Sequence, residues 1–222
     1  MDKGLFDERQ ARAKKIVRVL KRLYPEVKSE LHYTTPFQFL VAVVLSAQCT
    51  DKRVNMVTAT LFKKYHTAKD FAEADPAVFA KEIGSIPFFN NKTKAIIGAG
   101  EMVVKKFGGN LPKTEKELVQ LPGVGYKTAH VILGDLFQIW EGIPTDTHVK
   151  RFALKFGLTK HTDLKKISHD LEALIPKKDW KYVNNGLVLY GRYVCKARPH
   201  DCVEHPLTKL YPVAANIWPR TT

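Results

Sequence analysis

The chain has 222 residues, with 36 Lys+Arg against 22 Asp+Glu and a formal net charge of +14. That charge exceeds what solubility requires and favours a polyanionic partner, bound with steep salt dependence. The longest apolar run, Phe39 to Leu45, is too short to cross a bilayer, no signal-peptide apolar core follows Met1, and three scattered cysteines make no disulfide framework.

Taken in order, the pattern is helix after helix. Asp7 to Tyr24 places Ala11, Ile16, Val17, Leu20 and Leu23 on roughly one face, and Pro25 ends the segment. Thr34-Thr35-Pro36 is an N-cap followed by proline, opening a helix over Phe37 to Ala47 that is apolar nearly all round and therefore central. Asp51 caps a segment running to Lys64, and Asp75-Pro76 opens another that stops near Ile83-Gly84. Ser85 to Asn91 reads as a loop, and Lys92 to Phe107 as a helix closed by Gly108-Gly109. Thr114 with Glu117 three residues on is a capping-box pattern. Beyond it, Asp146 caps Thr147 to Phe156, Asp163 caps Leu164 to Leu174, and Lys181 to Val194 is the last long amphipathic stretch. No alternating strand of useful length occurs. The fold class expected is all-α.

The most informative stretch is Leu121-Pro122-Gly123-Val124-Gly125-Tyr126-Lys127-Thr128-Ala129-His130. Two glycines two apart permit a tight hairpin with positive φ and let the backbone approach another molecule without a Cβ between them. The helix that follows, Tyr126 to Phe137, starts with N–H groups that lack helical partners and with the positive end of its dipole. Hairpin and helix start thus form an anion cradle, and in so basic a chain the anion is a nucleic-acid phosphate. Lys127 falls in the first helical turn, where a cation is disfavoured. Partial desolvation there would push its pKa down, as a nucleophilic amine requires. An ordinary turn with a solvated lysine is the plainer alternative.

Leu121 to Ala129 resembles the helix-hairpin-helix of base-excision DNA glycosylases, specifically the endonuclease III family, and Thr145-Asp146-Thr147-His148-Val149 resembles that family's aspartate segment. The likeness runs from about Leu31 to Cys202 and includes Leu45-Ser46-Ala47-Gln48. It implies a two-lobed helix-hairpin-helix glycosylase fold with the active-site cleft between lobes. Residues 31–137 would form a six-helix lobe, and residues 1–30 with 138–222 a second. It implies that Lys127 is the amine nucleophile and Asp146 its carboxylate partner, in a bifunctional DNA glycosylase and AP lyase that removes oxidised pyrimidines of the thymine-glycol type through a Schiff base and β-elimination. Asp146 also reads as a plain N-cap, worth about 1 kcal/mol. The hairpin's Gly123, Val124, Gly125 and Thr128 would meet the DNA backbone, joined by Lys150 and by His148, which otherwise makes a structural hydrogen bond. Gln48 would fill the gap left by an extruded nucleotide, or else simply close its helix. Ile86 to Asn90 matches the wedge loop, with Phe88 at the wedge position and Phe89 in reserve; either ring could instead join the core.

Tyr126 stands where the family usually has a basic residue, so glycosylases for a mismatched base or an oxidised purine, and a non-catalytic DNA-binding module, stay open as alternatives. Many relatives hold a [4Fe–4S] cluster on four cysteines spaced by six, two and five residues. Here Cys195 and Cys202 keep the first spacing, while His205 and Tyr211 occupy the other two positions. The expectation is therefore a clusterless, metal-free enzyme, with zinc on Cys195, His200, Cys202 and His205 as the alternative. The implied partner is double-stranded DNA with damaged bases or abasic sites. The protein is expected to be monomeric and intracellular, nucleoid-associated in the cytoplasm if prokaryotic.

Overall fold

The computed structural model describes residues 3–217, and among them no strand occurs. The outermost residues of the expected second lobe, 1–2 and 218–222, lie outside the described residues. The chain divides into two compact units, Ser29–Ile139 and the two flanking stretches up to Lys28 and from Trp140 onward.

The inner unit is built around α2 (Pro36–Ser46), in which every residue from Phe37 to Leu45 is buried. Thr35 accepts from the Gln38 N–H, while the Gln38 side chain reaches back to the cap, so the proline-opened start is held from both sides. Gln38 is itself fully buried and satisfied, donating to the carbonyls of Phe62 and Tyr65 at 3.2 and 2.9 Å. Around α2 stand α3 (Asp51–Leu61), α4 (Ala68–Ala72), α5 (Pro76–Glu82), α6 (Phe89–Phe107), α7 (Glu115–Leu118) and α8 (Tyr126–Phe137). Their apolar faces form one core with Phe71, Phe79, Ile96, Val103, Ile132 and Leu133. Three details differ from the sequence expectation. Thr50, not Asp51, caps α3, because its hydroxyl accepts from the Arg53 N–H. The short helix α4, with a Thr67–Asp70 capping box, occupies a stretch that periodicity leaves blank. And α6 begins at Phe89, three residues before Lys92.

The flanking unit packs α1 (Lys3–Leu23), α9 (Thr147–Lys155), α10 (Leu164–Leu174) and α11 (Trp180–Tyr193), followed by short 3₁₀ turns. Ile16, Val17 and Leu20 of α1 share a core with Phe152, Phe156, Leu171, Leu187 and Tyr190. Asp163 caps α10 through the Lys166 N–H at 2.9 Å.

Candidate nucleic-acid interface and active site

The hairpin lies between α7 and α8. At Gly123 the backbone is left-handed, φ +78°, and an added Cβ would stand 2.9 Å from the Ala95 Cβ. Folding alone therefore demands glycine there. Gly125 is different: its φ of −92° suits any residue, and an added Cβ would meet nothing within 4 Å. Packing gives no reason for glycine at 125, whereas close approach of a ligand to the backbone does. As N-cap of α8, Gly125 supplies no side-chain cap, so no side-chain oxygen occupies the helix start. Val124 is buried and its N–H donates to the Leu121 carbonyl at 3.0 Å, so this position shapes the hairpin and offers neither side chain nor N–H outward. Thr128 is half-buried in the first turn. Lys127 is exposed.

His130, one turn on, is a residue the sequence reading passed over. Its side chain is 1% exposed and its Nε2 lies 2.6 Å from Glu115 Oε2, tying α8 to α7 across the hairpin. The ring of Tyr126 lies 4.2 Å away, centroid to centroid.

Gln48 and Phe88 share a backbone signature. Both have positive φ, 56° and 58°, a conformation that costs a non-glycine residue ~1–2 kcal/mol. Both are exposed, Phe88 to 62%. Ile86, by contrast, is 1% exposed and belongs to the core, and Phe89 packs against it. Ile86 thus offers no side chain outward and Phe89 is half-buried, so Phe88 is the aromatic that this turn exposes. Buried Lys92 of α6 reaches the end of α2, donating to the carbonyls of Leu45 at 2.9 Å and Ala47 at 2.6 Å. It holds the turn that presents Gln48, and burial pushes its pKa down.

In the flanking unit, Asp146 caps α9, its Oδ1 accepting from the N–H groups of His148 at 2.8 Å and Val149 at 2.9 Å. The approach to Asp146 is pinned from α10. Glu172 accepts from the Ile143 N–H at 3.0 Å, and the Ser168 hydroxyl donates to the Ile143 carbonyl at 2.7 Å. Neither residue carries a motif; their bonds to Ile143 reveal them. His148 and Lys150 are half-buried in the first turn of α9. Arg151, next to Lys150 in the chain, turns inward and donates to the Cys195 and Lys196 carbonyls at 2.9 and 3.2 Å.

The cysteine region does not fit a four-thiolate cluster. Cys195 and Cys202 are its two cysteines, and the third, Cys49, belongs to the inner unit. Cys202 faces the fully buried Lys155, whose ammonium lies 3.6 Å from its sulfur and donates to the Ile217 carbonyl at 3.0 Å. The zinc alternative keeps three of its four residues: donor atoms of Cys195, His200 and His205 lie within 4.8 Å of one another, and Cys202 is not among them. Burial raises the Cys195 thiol; burial, then the neighbouring His200 and Lys155, lower His205.

An all-helical inner unit that carries a glycine hairpin before an uncapped helix, in a chain of +14, defines the helix-hairpin-helix class of DNA-repair proteins. Residues 41–177 match the HhH-GPD superfamily base excision DNA repair protein family. The endonuclease III of Synechocystis sp. is 46% identical over 206 residues, covering 93% of this chain and 94% of its own. That of Bacillus subtilis is 39% identical, covering 85% and 86%. Among solved structures, a trapped endonuclease III–DNA covalent intermediate with an estranged adenine superposes with TM-score 0.84 at 35% identity, covering 90% of this chain and 94% of the other. A non-covalent endonuclease III–DNA complex gives 0.86 at 34% identity, covering 92% and 96%. The chain belongs to the endonuclease III family and is a base excision repair enzyme, a DNA glycosylase and AP lyase.

Proposed function

We propose that the protein removes oxidised pyrimidines from duplex DNA and cleaves the strand through a Schiff base on Lys127. The observation that carries this reading is the hairpin itself: a lysine in the first turn of an uncapped helix, directly after a glycine that packing does not need. A phosphate held on that backbone brings the flanking nucleotide to the amine. A base within the stack hides its glycosidic carbon, so the nucleotide must be extruded first. Phe88 would wedge the opened step and Gln48 offer donors and acceptors to the orphaned partner base. The relative described with an estranged adenine supports that role, and adenine is the partner expected opposite a thymine-derived lesion.

The neutral amine attacks C1′; the C1′–N bond breaks, its electron pair leaves with the base, and the base takes up a proton. The sugar ring opens as the amine nitrogen and C1′ become a Schiff base. Loss of a C2′ proton then expels the 3′ phosphate and cuts the strand. Asp146, held rigid by its own cap, stabilises positive charge developing on the sugar or takes the amine proton. Since Lys127 is exposed, the DNA closing over it supplies the exclusion of water. The two lobes correspond to residues 31–137 and to the remainder. Two thiols and a lysine-engaged Cys202 support the absence of a [4Fe–4S] cluster.

A panel of duplexes carrying thymine glycol, 8-oxoguanine, a thymine mismatch or an abasic site tests this. Excision of thymine glycol with β-elimination products is expected. Preference for the purine or the mismatch overturns the substrate assignment.

A further inference from the structure

We propose that Cys195, His200 and His205 bind a single zinc ion in the loop after α11. The three donors come from a short stretch of chain yet converge within 4.8 Å of one another. A tetrahedral zinc with bonds of about 2.0–2.3 Å needs donors roughly 3.3–3.8 Å apart, so an inward movement of about an ångström completes the site. The two imidazoles are arranged as ligands usually are. His200 Nδ1 lies 2.7 Å from the Arg198 carbonyl, an acceptor only, so Nδ1 donates there, the outer hydrogen bond that metal-bound imidazoles commonly make. His205 Nδ1 is buried without a hydrogen-bond partner, an arrangement that costs free energy and that a metal bond would relieve. The two rings stand 5.1 Å apart, centroid to centroid. Cys195 is fully buried, with Arg151 Nη1 3.9 Å from its sulfur.

One thiolate with two imidazoles is a zinc donor set, leaving the fourth position to water. Cys202 stays outside, turned to Lys155 and to the Ala215 carbonyl at 3.7 Å. Lys155 and Arg151 are two cations near the ion, so the site should hold zinc less tightly than a four-ligand structural site does. The site rests on the loop not holding a [4Fe–4S] cluster, and iron and sulfide content tests that separately.

The experiment uses the full chain, stripped with chelator, dialysed against zinc and then analysed for metal, with cobalt as an optical probe. Expected is one equivalent of zinc, and with cobalt a tetrahedral d–d spectrum with a thiolate-to-cobalt charge-transfer band. Cys195→Ser and His205→Gln should lower the bound metal at least tenfold at equal zinc, while Cys202→Ser keeps it. The wild-type cobalt spectrum does not depend on any variant folding. No bound metal, a cobalt spectrum without the thiolate band, or equal loss in Cys202→Ser overturns the three-donor site. Stoichiometric iron and sulfide in the purified protein overturns both this site and the clusterless reading.

Discussion

Replacing Gly125 with alanine should leave the fold in place and weaken DNA binding, whereas the same change at Gly123 should cost stability. At 125 the φ of −92° is open to alanine and the new Cβ meets nothing within 4 Å. Lower entropy of the unfolded chain contributes ~0.4–1 kcal/mol, and the poorer N-cap offsets it by a similar amount, so the net change stays within about 1 kcal/mol. At 123 alanine carries the left-handed penalty and an overlap at 2.9 Å with Ala95. Together these come to about 2–4 kcal/mol. If a phosphate sits on the backbone at 125, a methyl group there displaces charge-assisted hydrogen bonds worth about 2 kcal/mol, roughly thirtyfold in Kd. Urea denaturation and fluorescence-anisotropy binding to abasic-analogue duplex separate the two effects. Wild-type DNA affinity in Gly125→Ala would refute the assignment of this helix start as the anion cradle.

Phe88→Ala should leave stability unchanged or raise it slightly, because the ring is 62% exposed, while lowering excision more than tenfold; a clear drop in the denaturation midpoint would return the ring to the core. Asp146→Asn keeps an oxygen for the His148 and Val149 N–H groups, so it should fold normally yet lose excision by orders of magnitude, whereas Asp146→Ala adds a capping loss of about 1 kcal/mol. Normal turnover in Asp146→Asn would reduce the carboxylate to a cap. Lys92→Met removes two hydrogen bonds to the α2 terminus, of which the one to the Leu45 carbonyl is buried, costing about 2–3 kcal/mol. Burial places Lys92 below its ordinary 10.5, so between that lowered value and 10.5 the unfolded chain binds more protons than the native one. The stability difference between wild type and Lys92→Met should therefore grow as pH approaches 10.5 from below; a difference that shrinks there would contradict the burial argument.

Much of the helical order was legible because its punctuation is local. Thr35-Pro36, Asp75-Pro76, Asp146 and Asp163 each announce a helix start with a side-chain oxygen, and each caps one. The misplaced cap at Asp51 arose because Thr50 offers an oxygen one residue earlier, and α4 was too short for periodicity although Thr67 and Asp70 carried the signal. The hairpin and its lysine were legible from glycine spacing. What stayed hidden depends on partners distant in sequence. Lys92 finds its carbonyls 45 and 47 residues away, Glu172 reaches Ile143 across 29, and His130 meets Glu115 across the hairpin. The positive φ of Gln48 and Phe88 is written in no propensity, since neither residue favours it. The inward turn of Arg151 and the burial of Lys155 are likewise invisible to a pattern that reads charges as solvated.

The central claim is that the amine at position 127 becomes covalently joined to deoxyribose. Borohydride reduction during turnover of thymine-glycol or abasic duplex should give a stable protein–DNA adduct. Peptide mapping should put the linkage at Lys127, and Lys127→Ala should still bind the duplex but form no adduct. An adduct of undiminished yield in that variant, or base release by wild type with no trappable intermediate, would contradict the account.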